Sequence, residues 1–410
     1  MNSITFDILI APVGHQPMPV LLPILEYRPA HTFLIPTPQV KDAEAEAVRR
    51  VAKQAGLRVT LLESVDPYKA EQTMDRCREA YDFSHVTGKS VAINISGGTT
   101  LMAMGAQQAA CDLGLPMIYV NTDDSQIIHL DPDRAEVGRE DVTATVTITQ
   151  YAAAHEATVG VDAIWGTSWL LDADSWGARR GHLDHFQLAA RALGAAGSES
   201  TKLLDTIRLS LREQGALRGV FAPSDSAATT IDLIDTLYAQ GLIDRLADGG
   251  IYRVSAQHEY AEGFLKGHWL EFYVADACAR SGRFDDVRCG VSLRRKDDRH
   301  KVDNDFDVVV SSRGRVAAIS CKTGRIVYKP ENKDERLQAR EMAFELSSLL
   351  QADLMGLYAR KVLVTNQPGI HKLLSDHAYY GQICCVSGMR LKDVAKIVYD
   401  HLKEPQLGIE

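Results

Sequence analysis

The strongest constraint on the fold is an alternation in the N-terminal part of the chain. Short apolar or β-branched runs, FDILIAPV, TFLIPT, RVTLLES, SVAINIS and PMIYVN, are separated for the most part by helical stretches. That pattern predicts a parallel α/β sheet covered by helices. Lys41 to Gln54 reads as one covering helix that stops at Gly56, and Thr99 to Cys111 as another that runs up to Gly114. The runs QIIHL and DVTATVTITQ, joined by the charged stretch DPDRAEVGRE, are expected to form a hairpin that finishes a first domain over residues 1–150.

Beyond that point the pattern changes. Residues 151–255 read as a helical linker domain, with LDHFQLAARAL, TKLLDTIRLSLREQ and AATTIDLIDTLYAQG as its clearest helices. A hairpin turning at Asp248, Gly249 and Gly250 gives it a winged-helix-like end, while Asp232, Asp235, Asp244 and Asp248 suit a packing role better than DNA reading. Residues 256–410 read as a mixed α/β domain. Its order is a helix (GFLKGHWLEFYVADACARSG), a hairpin (DNDFDVVVSSRGRVAAISCKTG), a long helix from about Lys333 to Leu350, a buried strand (RKVLVTN), the run GQICCVSG and a C-terminal helix.

Several function classes drop out. The 410 residues allow two or three domains, but no apolar run approaches the ~18–20 residues of a membrane span. The N-terminus enters a strand-like run without a basic region and cleavage site, so a cytoplasmic protein with no membrane partner is expected. Seven cysteines without a CxxC pair support neither a disulfide framework nor a zinc ribbon. A formal charge of −9 excludes a globally basic nucleic-acid coat and leaves room only for a local cationic groove. No GxGxxG follows a strand, and SGGTT lacks the Gly-Lys-Ser/Thr of a P-loop, which argues against dehydrogenases and NTPases. His182 and His185 lack a matching third ligand and read as surface histidines rather than a zinc site.

Two regions carry chemistry. In the C-terminal hairpin, strand alternation places Asp305, Asp307 and Val309 on one face of the first strand, and Val316, Ala318, Ser320 and Lys322 on one face of the second. Acids and a lysine within otherwise hydrophobic strands are either paired or used. One reading is an Asp–Lys ion pair at a solvated edge. The other is a phosphodiester-hydrolysing set, in which carboxylates hold a divalent metal and the lysine positions the water or stabilises charge. Glu271, at the border of the stripe Leu270, Tyr273, Val274 and Ala277, adds an acid able to lie over the sheet. The segment RRKDDRHK, Arg294 to Lys301, reads either as a track for a phosphate backbone or as a solvated loop. On the N-terminal side, APVGHQPMPVLLPIL follows the first strand and NISGGTTLMAMG the fourth, both beyond the carboxyl ends of parallel strands, where open sheets bind ligands. Gly97 and Gly98 admit close backbone approach, the helix opening at Thr99 offers N–H groups to a phosphate or sugar, and His15 and Gln16 can read or stack on a base.

GHWLE, VDNDFDVVV, ISCKTG and LYARKVLVTN, in that order, resemble the nuclease half of CRISPR-ancillary effectors that join a CARF sensor domain to a PD-(D/E)xK nuclease, whose pattern runs G-x-W-L-E, N-E-x-D, E-C-K-T. The resemblance covers most of residues 263–390. It implies Glu271 and Asp307 as metal ligands, with Asp305 where the family usually has Glu, and Lys322 as the lysine that assists the water. Ser320 stands where the family has an acid. Some restriction enzymes of this fold show the same Ser-x-Lys form with the acid moved downstream, which makes Glu335, Glu341 and Glu345 the replacement candidates. The two N-terminal loops resemble the CARF ligand loops G-x-Q-P and N-x-T-G-G-T-K. This implies Gly14, His15, Gln16, Asn94, Ser96, Gly97, Gly98, Thr99 and Thr100 as ligand-binding residues, with Thr100 in place of a common Lys.

Taken whole, the resemblance implies a homodimer whose paired Rossmann-like sensors enclose a cyclic oligoadenylate, cyclic tetra-adenylate first among them. That activator would switch on a Mn²⁺- or Mg²⁺-dependent nuclease cutting DNA or RNA in type III CRISPR defence. The alternative is a cyclic-nucleotide-responsive regulator with an inactive nuclease fold, which Ser320 favours and Asp307, Lys322 and Glu271 oppose.

Overall fold

A computed structural model describes residues 5–85, 89–160, 186–213, 218–246, 249–257, 261–295, 303–323, 359–368, 382–404 and 408–409. The expected helix from Lys333 to Leu350, with Glu335, Glu341 and Glu345, lies outside the described residues, as do His182, His185 and residues 296–302.

The first sheet has seven strands: β1 (Ile8–Pro12), β2 (His31–Ile35), β3 (Val59–Leu61), β4 (Val91–Asn94), β5 (Met117–Asn121), β6 (Gln126–Leu130) and β7 (Glu136–Asp141). Their order is β3-β2-β1-β4-β5-β6-β7, parallel through β5 and antiparallel after it. The strand order reverses between β1 and β4, so the loops that follow these two strands lie side by side at the carboxyl edge. Helices α3 (Ala70–His85) and α4 (Thr100–Leu113) cover the face of Ile8, Ile10, Ile93 and Met117. Thr99 caps α4 by accepting from the Met102 amide, and Gly114 ends it in the left-handed conformation at φ 65°.

The opposite face, with Leu9, Ala11, Ala92 and Ile118, is covered by α1 (Met18–Tyr27), α2 (Glu46–Gln54) and α5 (Ile148–Ala154). Every residue of α1 from Met18 to Leu25 is buried. A helix apolar on all sides needs cover on all sides, and the second sheet supplies it. That sheet contains β8 (Ala157–Gly160), β12 (Asp286–Arg295), β13 (Asp303–Ser312), β14 (Arg315–Lys322), β15 (Arg360–Thr365), β16 (Ile383–Val386) and β17 (Gly408–Ile409), in the order β17-β16-β15-β14-β13-β12-β8. Its residues Val291, Leu293, Phe306, Val309, Val316 and Ala318 join the same core as α1. At the β13–β14 turn Gly314 has φ 77°, and a Cβ there would stand 2.3 Å from Leu22 Cδ2 of α1. The Ser125 hydroxyl donates to the Arg313 carbonyl (2.9 Å), fixing this turn to the β5–β6 connection.

The middle segment contains α6 (186–196), α7 (Ser200–Glu213), β9 (Val220–Phe221), α8 (Ala228–Ala239), β10 (Ile243–Arg245) and β11 (Tyr252–Val254). The small sheet runs β10-β11-β9. These elements share a core with α9 (Trp269–Arg280), α10 (Val394–Lys403) and the other face of the second sheet, through Val308, Val310, Ala317 and Ile319.

The hairpin expected from QIIHL and DVTATVTITQ forms differently. β6 pairs with β7, which lies within the charged stretch expected as the turn. β7 is an exposed edge strand held by backbone bonds, where charged side chains are usual. The β-branched run that follows buries Val142, Val146 and Ile148 on its way into α5, which opens with a capping box between Thr147 and Gln150. The chain then enters the second sheet at β8, pairing antiparallel with β12 before the middle segment begins. No helix among the described residues is long and apolar enough to cross a membrane.

Candidate functional site

The carboxyl edge of the first sheet holds a cavity of about 540 Å³. Gly14, His15, Gln16, Ser96, Gly97, Gly98 and Thr99 line it, as the two loops predict. The loops touch, since a Cβ on Gly14 would lie 3.0 Å from Gly98 Cα. Gly97 is required by packing rather than by a ligand: a Cβ there would be 2.0 Å from the Pro12 carbonyl oxygen. Gly98 adopts φ 80°, where side chains are strained. His15 Nδ1 meets Glu44 Oε1 at 2.8 Å, and Gln16 leaves its buried Oε1 without a hydrogen-bond partner among the described residues. A buried acceptor left unpaired on a residue that lines the cavity is a contact open to a donor.

Asn94 and Thr100 sit apart from the lining. The Asn94 amide donates to the Pro19 carbonyl and accepts from the Ser96 amide, both at 2.9 Å, so it stitches the two loops together from behind. Thr100 lies exposed on the first turn of α4. Thr99 is engaged twice, as the helix cap and as donor to the Pro67 carbonyl. Thr37, Gln39, Pro67 and Tyr68 also line the cavity. They were not singled out from the sequence. The signal was the position of their loops after β2 and β3, on the same carboxyl edge.

The second constellation lies where β13 and β14 meet the first turn of α9. The register sets Val308 opposite Ile319 and Val309 opposite Ala318. Asp307 therefore faces Ser320, and its Oδ2 accepts from the Cys321 amide (2.6 Å) and the Ser320 hydroxyl (3.2 Å). Ser320 thus orients the carboxylate instead of supplying a second one. Glu271 is largely buried and its Oε1 meets His268 Nδ1 at 2.9 Å. Burial pushes its carboxyl above the usual range. The His268 contact and the charge of Lys322 pull it down, while the Asp307 charge adds to the rise. Glu271, Asp307 and Lys322 thus share one electrostatic neighbourhood. The Cys289 and Cys321 thiols are pushed well above their ordinary value, mainly by burial and also by the same two carboxylates, so they stay neutral beside the site. Asp305 lies in β13 opposite Ser292.

Two neighbouring, partly buried carboxylates repel, and a divalent cation between hard oxygen donors relieves that repulsion. Glu271 and Asp307 fit Mg²⁺ or Mn²⁺ in donor type. Among the described residues no group of three or more His, Cys, Asp or Glu side chains is arranged to hold a metal ion. Because the folded-state carboxyl of Glu271 is raised, its contribution to stability is present below the ordinary carboxyl range and is lost as pH rises through the folded value. Glu271→Gln is therefore expected to raise the melting temperature of the metal-free protein at neutral pH, with the gap closing as pH falls toward the ordinary carboxyl range. The mutant should also lose the Mn²⁺-induced rise seen for the wild type. Scanning calorimetry across pH, with and without Mn²⁺, checks both.

Comparison with known proteins bears on both regions. The family model described as the Card1-like endonuclease domain matches residues 258–401. Protein VC1899 from Vibrio cholerae superposes with a TM-score of 0.73 at 18% identity, covering 97% of this chain and 98% of that one. Can2 from Sulfobacillus thermosulfidooxidans, solved with cyclic tetra-adenylate, gives 0.65 at 18% identity with the same coverage. A type III CRISPR defence DNA nuclease activated by cyclic oligoadenylate gives 0.50 at 19% identity, over 88% of this chain and 45% of that one. Among curated proteins there is no match. The chain joins a Rossmann-like sheet to a second mixed sheet. Residues 258–401 match the Card1-like endonuclease domain, and the whole length shares the fold of Can2 and VC1899.

Proposed function

We propose that the protein is a cytoplasmic, metal-dependent nuclease of type III CRISPR defence, activated by a cyclic oligoadenylate, with cyclic tetra-adenylate the first candidate. The observation that carries this reading is the joint placement of Glu271, Asp307 and Lys322 within the endonuclease domain, in a chain whose Rossmann sheet holds a ligand-sized cavity at its carboxyl edge. A bound Mg²⁺ or Mn²⁺ would polarise the scissile phosphate and lower the pKa of water. Glu271 and Asp307 would hold it, the Cys321 amide and Ser320 hydroxyl would keep Asp307 oriented, and Lys322 would stabilise charge at the phosphate. Three exposed apolar residues, Leu101 and Met104 on α4 and Tyr119 on β5, support a homodimer through the sensor. Two copies suit a symmetric ring, one ring per two chains.

The test is incubation with plasmid and with single-stranded DNA or RNA, with Mn²⁺ or Mg²⁺, with and without cyclic tetra-adenylate. Ligand- and metal-dependent cleavage is expected. No cleavage with any combination, alongside tight ring binding, would instead make the chain a regulator with an inactive nuclease fold. In the same assay Gly98→Val, which forces a β-branched residue to φ 80°, is expected to weaken ring binding about tenfold or more in titration calorimetry. Unchanged affinity would remove this loop from the site.

A further inference from the structure

Arg208 belongs to α7, in the middle segment, yet its side chain ends between two of the three elements that carry the hydrolytic set, the lead into α9 and the end of β14. Its Nε donates to the Lys266 carbonyl (2.9 Å), and its Nη1 donates to the Thr323 carbonyl (2.6 Å) and to Asp205 Oδ1 (3.2 Å). Lys266 stands just before Gly267, where the backbone leaves helical geometry (φ 175°, ψ −32°) ahead of α9 and Glu271. Thr323 directly follows Lys322. The Thr323 hydroxyl also donates to the Lys266 carbonyl (3.4 Å), and a Cβ on Gly267 would lie 2.9 Å from that hydroxyl oxygen. The kink and the strand end are therefore in direct contact, with one guanidinium bridging them.

We propose that Arg208 is a positioning residue for the nuclease, fixing Glu271 relative to Lys322 by bridging the backbone carbonyls beside each. The inference rests on reading Glu271, Asp307 and Lys322 as the hydrolytic set. A planar guanidinium presents several donors in a rigid fork and can hold two fixed acceptors at once, which an ammonium does poorly. The side chain is only 17% exposed, and its buried Nη2 has no hydrogen-bond partner among the described residues. Burying a cation with one donor unmet is unfavourable for stability alone. The middle segment thereby gains a role: α7 already shares a hydrophobic core with α9 and the second sheet, and Arg208 adds the polar bridge to their catalytic ends.

The experiment compares the full-length wild type with Arg208→Lys and Arg208→Ala. It measures steady-state cleavage with Mn²⁺ and cyclic tetra-adenylate, and amide hydrogen exchange in peptides covering residues 264–271 and 320–323 without metal or ligand. Arg208→Ala is expected to lower kcat about a hundredfold, the cost of a misplacement near 1 Å, with KM little changed. Exchange should speed up in both peptides and stay unchanged around Gly97 and Gly98. Arg208→Lys should recover little of either, and added guanidinium ion should partly restore Arg208→Ala. Unchanged exchange in both peptides, or full recovery by Arg208→Lys, would overturn the proposal. If the wild type never cleaves, the nuclease reading fails, and the exchange data still decide whether Arg208 braces the two elements. If Arg208→Ala does not fold, Arg208→Lys carries the exchange test alone.

Discussion

Asp307→Asn is expected to reduce activator-dependent cleavage by about a thousandfold or more, equivalent to ~4 kcal/mol of transition-state stabilisation. Asparagine is chosen because its side-chain oxygen can still accept from the Cys321 amide, which Asp307 does at 2.6 Å. Alanine would leave that amide unpaired and confuse a folding defect with a chemical one. The melting temperature should therefore stay near that of the wild type while turnover collapses. Lys322→Ala is expected to cost about a hundredfold or more through loss of the cation facing the developing charge. Single-turnover cleavage of a plasmid, read beside thermal unfolding, separates chemistry from stability. Wild-type turnover by Asp307→Asn would remove this hairpin from the active site.

The second large effect is expected at Gly314. A valine there meets two penalties, a φ of 77° that β-branched residues rarely adopt and a Cβ only 2.3 Å from Leu22 of α1. The combined cost is roughly 2–4 kcal/mol, visible as a lower melting temperature. Because α1 starts beside the cavity and Leu22 rests on the hairpin that carries Asp307 and Lys322, the turn is where the cover of the first sheet meets the proposed active site. Gly314→Val should keep ring affinity within about twofold while the ratio of ligand-stimulated to basal cleavage falls about tenfold, a coupling loss near 1.4 kcal/mol. An unchanged ratio in folded protein would show that signalling bypasses this contact.

Much of the fold was legible because hydrophobic period and turn residues agree. The parallel strands carry continuous apolar runs, and α4 lies between a Thr cap and a Gly stop, as Thr99 and Gly114 require. β7 was not legible, because an exposed edge strand such as EVGRED owes its pairing to backbone bonds that its side chains do not announce. The hairpin site was legible for a different reason: alternation fixes which residues of two adjacent strands can meet, and the Asp307–Ser320 contact follows from it. Arg208 was invisible for the converse reason. It lies far along the chain from Lys266 and Thr323, and its bonds go to backbone carbonyls, which leave no mark in the identity of the residues that bear them.

The core shared by α1 and the second sheet has a consequence for how such proteins can be recombined. The family match begins at residue 258, but β12 is flanked by β8 at 157–160, and Val309, Val316 and Ala318 are covered from the N-terminal half. The stretch by which inheritance is recognised is therefore shorter than the stretch that folds as a unit. A sensor exchanged between relatives at the apparent boundary would strand β12 without its neighbour and face α1 with a foreign surface. Viable chimaeras are expected to carry α1, α5 and β8 together with the second sheet they seal, so that an exchange moves both partners of this core at once.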